Sequence, residues 1–362
     1  MRYDAPGSYL PPINLVEARA AHADVATISA LEDEAVRDII DRQIAAGMPA
    51  VTSGEVRRTS WDKDFYSGLG GVSIEHVSSG SIYQPIDTFT DVMRFDGRIA
   101  YNPGHQFFES FEFIRDYVAG RARCRQTLPS PTDLYFDILQ MGEGNIASVY
   151  PSPDTLIEDI AEAYRRTAEH FYSLGCRDIL FDDTVCAQMC DNTFLSRLII
   201  AGIDVKQLSD DLMRLLNLSV DGLPSDLSME IYMSGGTTVV PEWITVNNPD
   251  NPLKNILPNL HFNVFFLPFT PGDVEQLAVL DYLPKGASVV LGLISAHSPW
   301  PDDIDAVETS INTALRYLSP AQLAIGPQCG FKMTHFIMRG LVYDDQWRKL
   351  RTLSEIARGI SI

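Results

Sequence analysis

The chain predicts a (β/α)8 barrel carrying an inserted β-hairpin, and three observations support that expectation. Eight short β-type runs recur along the chain, long helix-type stretches separate them, and several of the runs are almost wholly apolar. A strand covered by helices on both faces loses the alternation of a half-exposed strand, so near-continuous apolar runs point to a parallel sheet. Strand–helix alternation repeated eight times is the pattern of a closed parallel barrel. The length of 362 residues exceeds the common domain size of about 150 but suits one large barrel, so residues 1–362 are expected to form a single domain.

Taken in order, the strand candidates are SYL (8–10), PAVTSGE (49–55), RCRQTL (123–128), DILFDD (178–183), LSMEIYM (227–233), FNVFFLPF (262–269), SVVLGLIS (288–295) and QLAIGP (322–327). Amphipathic stretches such as TLIEDIAEAYRRTAEHFYSL (155–174) and DDIDAVETSINTALRYL (302–318) supply the covering helices. Residues 68–112 break the rhythm. They are rich in Gly, Ser and β-branched residues and contain an FDGR turn, which predicts an antiparallel hairpin inserted between the second and third strands, as a lid or an oligomer contact. No strong fixed-period repeat and no low-complexity linker interrupts the chain.

Composition narrows the partners. Hydrophobic residues make up 45% and charged residues 21%, and the net charge is −20. Nucleic acid and anionic membrane both reward excess Lys and Arg, so neither is expected. No apolar run approaches the roughly 18 residues of a membrane span, and the opening MRYDAPGSYLPP has no apolar signal region. The five cysteines are odd in number and scattered, which suits reduced thiols in a cytoplasmic protein. The expected partner is a small-molecule substrate, with oligomerisation left open.

In such a barrel the reactive groups lie at the C-terminal strand ends. Those ends offer Ser8 before Pro-Pro, Glu55 beside Arg57 and Arg58, the PSPTD turn (129–133), the paired acids Asp182 and Asp183, Glu230 and Tyr232 two apart on one strand face, His297 in AHSPW, and Cys329 in GPQCGF. Each has a plainer reading. Asp182 and Asp183 could cap the next helix, Glu55 could sit in a structural ion pair, His297 could serve a turn, and Cys329 could be a small core residue. Cys186 and Cys190 read as core. The shared placement of the set at one rim makes it worth more than its members.

The stretches DAPGSYLPP, TSGEVRRTSWDKDF, RQTLPSPTDLYF, GCRDILFDDTV, LGLISAHSP and QLAIGPQCGF, in this order and across nearly the whole chain, resemble the catalytic domain of the cobalamin-independent methionine synthase family, especially its short single-domain relatives. The resemblance implies a (β/α)8 barrel that passes a methyl group from a methylated folate to a zinc-held thiolate. It also implies that Ser8 lies near the carboxylate of an amino-acid substrate while Glu55 and Asp182, with Asp183 beside it, face its ammonium. His297 falls on the family's His-Ser-Pro histidine, which helps protonate the folate leaving nitrogen, and Cys329 falls on the last zinc ligand.

The other ligand positions depart from the family. Glu230 and Tyr232 stand where the family has His-x-Cys, Pro268 stands where it has Glu, and Ala5 or Pro6 replaces a histidine near the N-terminal Gly-Ser. Zinc needs three protein ligands and an open position, so a weak or absent metal is expected, unless Glu230, His297 and Cys329 form a rebuilt site. Methyltetrahydrofolate is the donor the resemblance implies. Without zinc, a thiol with a pKa near about 8.5 is only slightly ionised at neutral pH, and Glu230, Tyr232, Asp182 and His297 are the candidate acids and bases. Three functions follow: methyl or other one-carbon transfer to a thiol or other nucleophile, metal-independent lyase or related carbon–carbon or carbon–sulfur chemistry on an amino-acid-like substrate, and noncatalytic binding.

Overall fold

Eight parallel strands pair in the cyclic order that a (β/α)8 barrel of the TIM type requires. In the computed structural model, which describes residues 1–78, 89–140, 146–235, 239–332 and 340–360, the barrel strands are β1 (Arg2–Tyr3), β2 (Ala50–Val51), β5 (Arg123–Pro129), β6 (Asp178–Asp183), β7 (Ser228–Met233), β8 (Val264–Pro268), β9 (Ser288–Ile294) and β10 (Leu323–Pro327). The sheet runs β1-β10-β9-β8-β7-β6-β5-β2, and a parallel bridge between Ser8 and Gly54 joins its two edges.

The first strand differs from the expectation. Pairing with β10 uses Arg2 and Tyr3, against Ala324 and Ile325, rather than 8–10. Pro6 brings no N–H to a ladder and Gly7 takes φ +110°, so the chain bends out and rejoins the barrel at Ser8. The second strand is also shorter than read. At Thr52 the backbone leaves the ladder for the side chain of Gln43, which accepts from its N–H at 3.0 Å and donates to its carbonyl at 2.9 Å.

The helices follow their apolar periodicity. Helix Pro153–Ser173 starts at the Ser152 cap with proline at its first position, where a missing N–H costs nothing. It buries Leu156, Ile157, Ile160, Ala161, Tyr164, Ala168 and Phe171 along one stripe. Helix Val25–Ala45 is capped by Asp24, which accepts from Thr27 N at 2.9 Å.

The hairpin consists of β3 (Gly70–Ser78) and β4 (Phe89–Ala100), paired antiparallel; residues 79–88 between them lie outside the described residues. At Gly71 a Cβ would stand 2.3 Å from the Arg98 carbonyl oxygen, so the bulge there needs glycine. Ile99 N donates to Tyr150 Oη at 2.6 Å, and Arg98 pairs with Asp159 at 2.5 Å, docking β4 beside helix Pro153–Ser173. The insertion ends earlier than 112, because Gln106–Val118 is a barrel helix. His105 caps it, accepting from Phe107 N at 3.1 Å.

Candidate active site at the barrel mouth

Beyond β2 the chain turns through Gly54 and Glu55, both left-handed, with Glu55 at φ +57°. That conformation is uncommon for a residue with a Cβ and persists where its surroundings hold it. Glu55 Oε1 accepts from Thr127 Oγ1 at 2.6 Å and lies 3.0 Å from an Arg58 guanidinium nitrogen. Lys332 Nζ donates to the carbonyls of Glu55 and Arg58, at 2.8 Å each. The ion-pair reading of Glu55 is therefore real, with Arg58 as the partner; Arg57 turns away to Asp33 and Glu32.

Asp182 closes the facing side. Burial, then the like charges of Glu55 and Asp183, pushes its carboxyl up to about 8, with Arg58 opposing. The acid holds its proton at neutral pH and would ionise on meeting a cation. Asp183 behaves otherwise. It is fully buried, its carboxylate accepts from Cys186 N at 2.7 Å and from the Thr132 hydroxyl, and neighbouring Asp133 binds Thr184 in the same way. These two aspartates fasten the loops after β5 and β6 together.

Cys329 and His297 meet at the mouth, Sγ to Nε2 at 3.6 Å. Burial, and then Asp182, pushes the Cys329 thiol well up, so it rests as a neutral thiol. Tyr232 donates to the Gln328 carbonyl at 3.1 Å, and burial with Cys329 and Asp182 nearby keeps its phenol protonated. Ser8 faces the same loop. Its hydroxyl donates to the Lys332 carbonyl at 3.3 Å, and a Cβ on Gly330 would fall 1.8 Å from its Oγ. The structure thus gathers Ser8, Glu55, Asp182, Tyr232, His297 and Cys329 around one mouth.

Glu230 is turned elsewhere. Its side chain is buried 2.8 Å from Arg125 Nε, at an angle too bent for a hydrogen bond. Arg125 grips Asp4 through two nitrogens, at 2.9 and 2.6 Å. Burial raises Glu230 to about 7, with Arg125 opposing and Asp4 and Asp178 adding to the rise. Pro268, at the remaining ligand position, offers no side-chain donor and gives its carbonyl to Trp243 Nε1 at 2.7 Å. Among the described residues no three His, Cys, Asp or Glu side chains form a cluster able to hold a metal ion. No described helix is long and apolar enough to cross a membrane.

Three participants were not singled out from the sequence: Arg125, Thr127 and Lys332. The first two sit inside RCRQTL, where alternation within a strand marks them as inward-facing. Lys332 lies beyond a strand end in CGFK, where no periodicity speaks.

No protein-family model matches the chain. It is 28% identical to the uncharacterized protein YxjH of Bacillus subtilis and 27% identical to YxjG of the same organism, in each case over 99% of this chain and 94% of the relative. Among solved structures, a presumptive vitamin-B12-independent methionine synthase from Listeria monocytogenes matches at a TM-score of 0.74 and 22% identity, over 100% of this chain and 98% of the other. A B12-independent methionine synthase from Shewanella, solved with selenomethionine, matches at 0.66 and 16% over 99% and 97%. A methyltransferase from Methanosarcina mazei matches at 0.57 and 12% over 99% and 94%. The fold is the one these methionine synthase and methyltransferase structures share, as the sequence resemblance implied.

Proposed function

We propose that the chain is a divergent member of the cobalamin-independent methionine synthase family that transfers a methyl or other one-carbon group, from a folate-type donor, to an amino-acid-like substrate. The observation that carries the reading is the pair of acids at the mouth. Glu55 is fixed in place and Asp182 faces it as a desolvated carboxyl pushed up to about 8. An arriving ammonium group would ionise Asp182 and satisfy both carboxylates, because an opposite charge within about 4–6 Å favours the charged form. Ser8 lies beside this pocket, on the side where the substrate carboxylate would sit. The Shewanella relative holds selenomethionine, which is consistent with an amino-acid ligand.

His297 is the general acid of the proposal. Protonating a leaving nitrogen makes it a better leaving group, and an imidazole works near neutral pH. The donor set does not fit zinc: Glu230 is committed to Arg125, Tyr232 donates to a carbonyl, and Pro268 has no ligand atom. Among the described residues, Cys329 and His297 alone fall short of the three protein ligands that a catalytic zinc needs, so no step runs through metal. The acceptor must then lose its proton to a side chain, and Asp182, once ionised, is the base of the proposal. The same protonated carboxyl beside Tyr232 favours, as a second reading, metal-independent lyase chemistry on an amino-acid-like substrate.

The test is single-turnover methyl transfer from methyltetrahydrofolate to L-homocysteine, with and without chelator, alongside calorimetric binding of L-homocysteine and L-methionine. Turnover that survives chelation is expected. Amino-acid binding without any methyl transfer would favour the lyase reading, and absence of both would defeat the proposal.

A further inference from the structure

Lys332 occupies a place in the mouth that none of the expected roles explains. Its carbonyl accepts from the Ser8 hydroxyl, its backbone lies three residues beyond Cys329, and its ammonium crosses to the turn that presents Glu55. Phe331 N donates to the Ser8 carbonyl at 2.9 Å, so the loop from Cys329 to Lys332 is seated on the N-terminal segment before its last side chain reaches across. The turn it reaches needs holding. Glu55 is left-handed, and the carbonyls of Glu55, Val56 and Arg58 all point away from any strand partner, the middle one accepting from an Arg19 guanidinium nitrogen at 2.7 Å.

We propose that Lys332 is a positioning residue that ties the ammonium subsite at Glu55 to the Cys329 loop, so that its positive charge sets the affinity for an amino-acid substrate. The inference rests on the functional reading above and adds to it the residue that joins its two halves. An ammonium ion bound to two carbonyls holds them by charge-assisted hydrogen bonds, which are roughly twice as strong as neutral ones. A neutral amine keeps donors but loses that gain. The charged groups facing Lys332 are Glu55 and Arg58 of the turn, Arg19 of helix Ile13–Ala20 and Asp64 of helix Lys63–Tyr66. Burial lowers Lys332 to about 8, with Arg58 and Arg19 pushing the same way and Glu55 and Asp64 opposing. The tie is therefore mostly charged near neutral pH and slackens above about 8.

The experiment compares wild type with Lys332→Met by titrating L-homocysteine and L-methionine at about pH 7 and about pH 9. Ionisations of the ligand are common to both proteins and cancel in the ratio of their Kd values. The ratio is expected to be about tenfold or more at the lower pH and to shrink several-fold at the higher one. Lys332→Arg keeps its charge throughout, and is expected to recover most of the affinity at neutral pH and to lose less of it at high pH than wild type does. Because the substrate is itself a proposal, two readouts need no ligand. Amide exchange over residues 53–58 and iodoacetamide labelling of Cys329, resolved by mass spectrometry, should both quicken in Lys332→Met. Equal affinities at both pH values, or unchanged exchange and labelling, would overturn the inference. Wild type that binds neither amino acid, yet shows the exchange and labelling changes, would defeat the functional reading while leaving the mechanical tie standing. Should Lys332→Met fail to fold, the pH comparison of wild type with Lys332→Arg decides.

Discussion

Two sets of acids occupy successive layers of the barrel and differ in the countercharge they are given. In the inner layer, Asp4, Arg125 and Glu230 meet around one guanidinium, two carboxylates to one cation. In the outer layer, toward the C-terminal mouth, Thr127 and Tyr232 follow Arg125 and Glu230 by two residues, and Asp182 has only distant help from Arg58, which is spent on Glu55. Asp4 has its countercharge built in through two guanidinium nitrogens, and Glu230 shares the same cation, which only partly offsets its burial. In the outer layer Arg58 serves Glu55, and Asp182, with no cation of its own, is raised further. A carboxyl with no cation of its own at the barrel mouth leaves room for a charged ligand, whereas acids closed around Arg125 have their partner inside the fold.

The comparison breaks most visibly at Asp4. Asp4→Asn leaves Arg125 buried with half its countercharge, and removing one partner of a buried pair costs about 3–5 kcal/mol. Glu230→Gln should cost under about 1 kcal/mol, because Asp4 still holds the guanidinium through two bonds. The difference has a pH signature. Glu230 is raised in the folded state from 4.5 to about 7, so across that window the folded chain holds more of its proton than the unfolded chain does. Wild-type stability relative to Glu230→Gln should therefore fall as pH rises from about 4.5 to about 7. Urea unfolding of both variants at three pH values measures it, and equal losses at Asp4 and Glu230 would erase the distinction between the layers.

Asp182→Asn sharpens the outer half. The variant should lose about 2–3 kcal/mol of amino-acid affinity, the scale of a charged hydrogen bond. Its stability should not drop. The folded-state rise from 3.8 to about 8 makes the native carboxylate a liability between those values, and asparagine removes it. A variant that loses stability but keeps its affinity would make Asp182 a loop fastener like Asp183.

Metal removal should have the smallest effect. Zinc should be well below one equivalent in purified protein, and a chelator should leave the melting curve where it was, since the ligand positions hold Glu230, Tyr232 and Pro268. The Cys329→Ser variant separates the alternatives. If a zinc ion is lost along with activity, Cys329 was a ligand after all; if the fold and part of the rate remain, the chemistry belongs to the side chains.

The fold was legible because short apolar runs, the signature of strands buried on both faces, alternate with amphipathic stretches along the whole chain. β6, DILFDD, runs over the same six residues in sequence and structure. β1 was not legible, since two paired residues followed by proline and glycine leave no pattern. The rim residues could be named one by one from strand ends, but their pairing could not. That Asp183 serves Thr132 and Cys186 while Asp182 faces the mouth depends on which way successive side chains point, and on a loop some 50 residues away. Glu230 was placed by sequence at the metal position. Its partner Arg125 comes from a different strand, so the cluster that claims it exists only once the barrel has formed.

The seam at the mouth has a consequence for how the protein is made. Ser8 and the Lys332 carbonyl it binds are 324 residues apart, and Lys332 and Glu55 are 277 apart. Contacts of such separation form late, after more local pairings have reduced the loop to be closed. On a ribosome, Ser8, Glu55 and Asp182 emerge before Cys329 and Lys332 have been translated. The half-made chain carries the acids of the rim with no lysine to hold their turn and no last strand beside its first. A small-molecule ligand cannot guide that intermediate, because the pocket it would stabilise does not yet exist. Ligand in the cell can protect only finished molecules, by mass action on the native state.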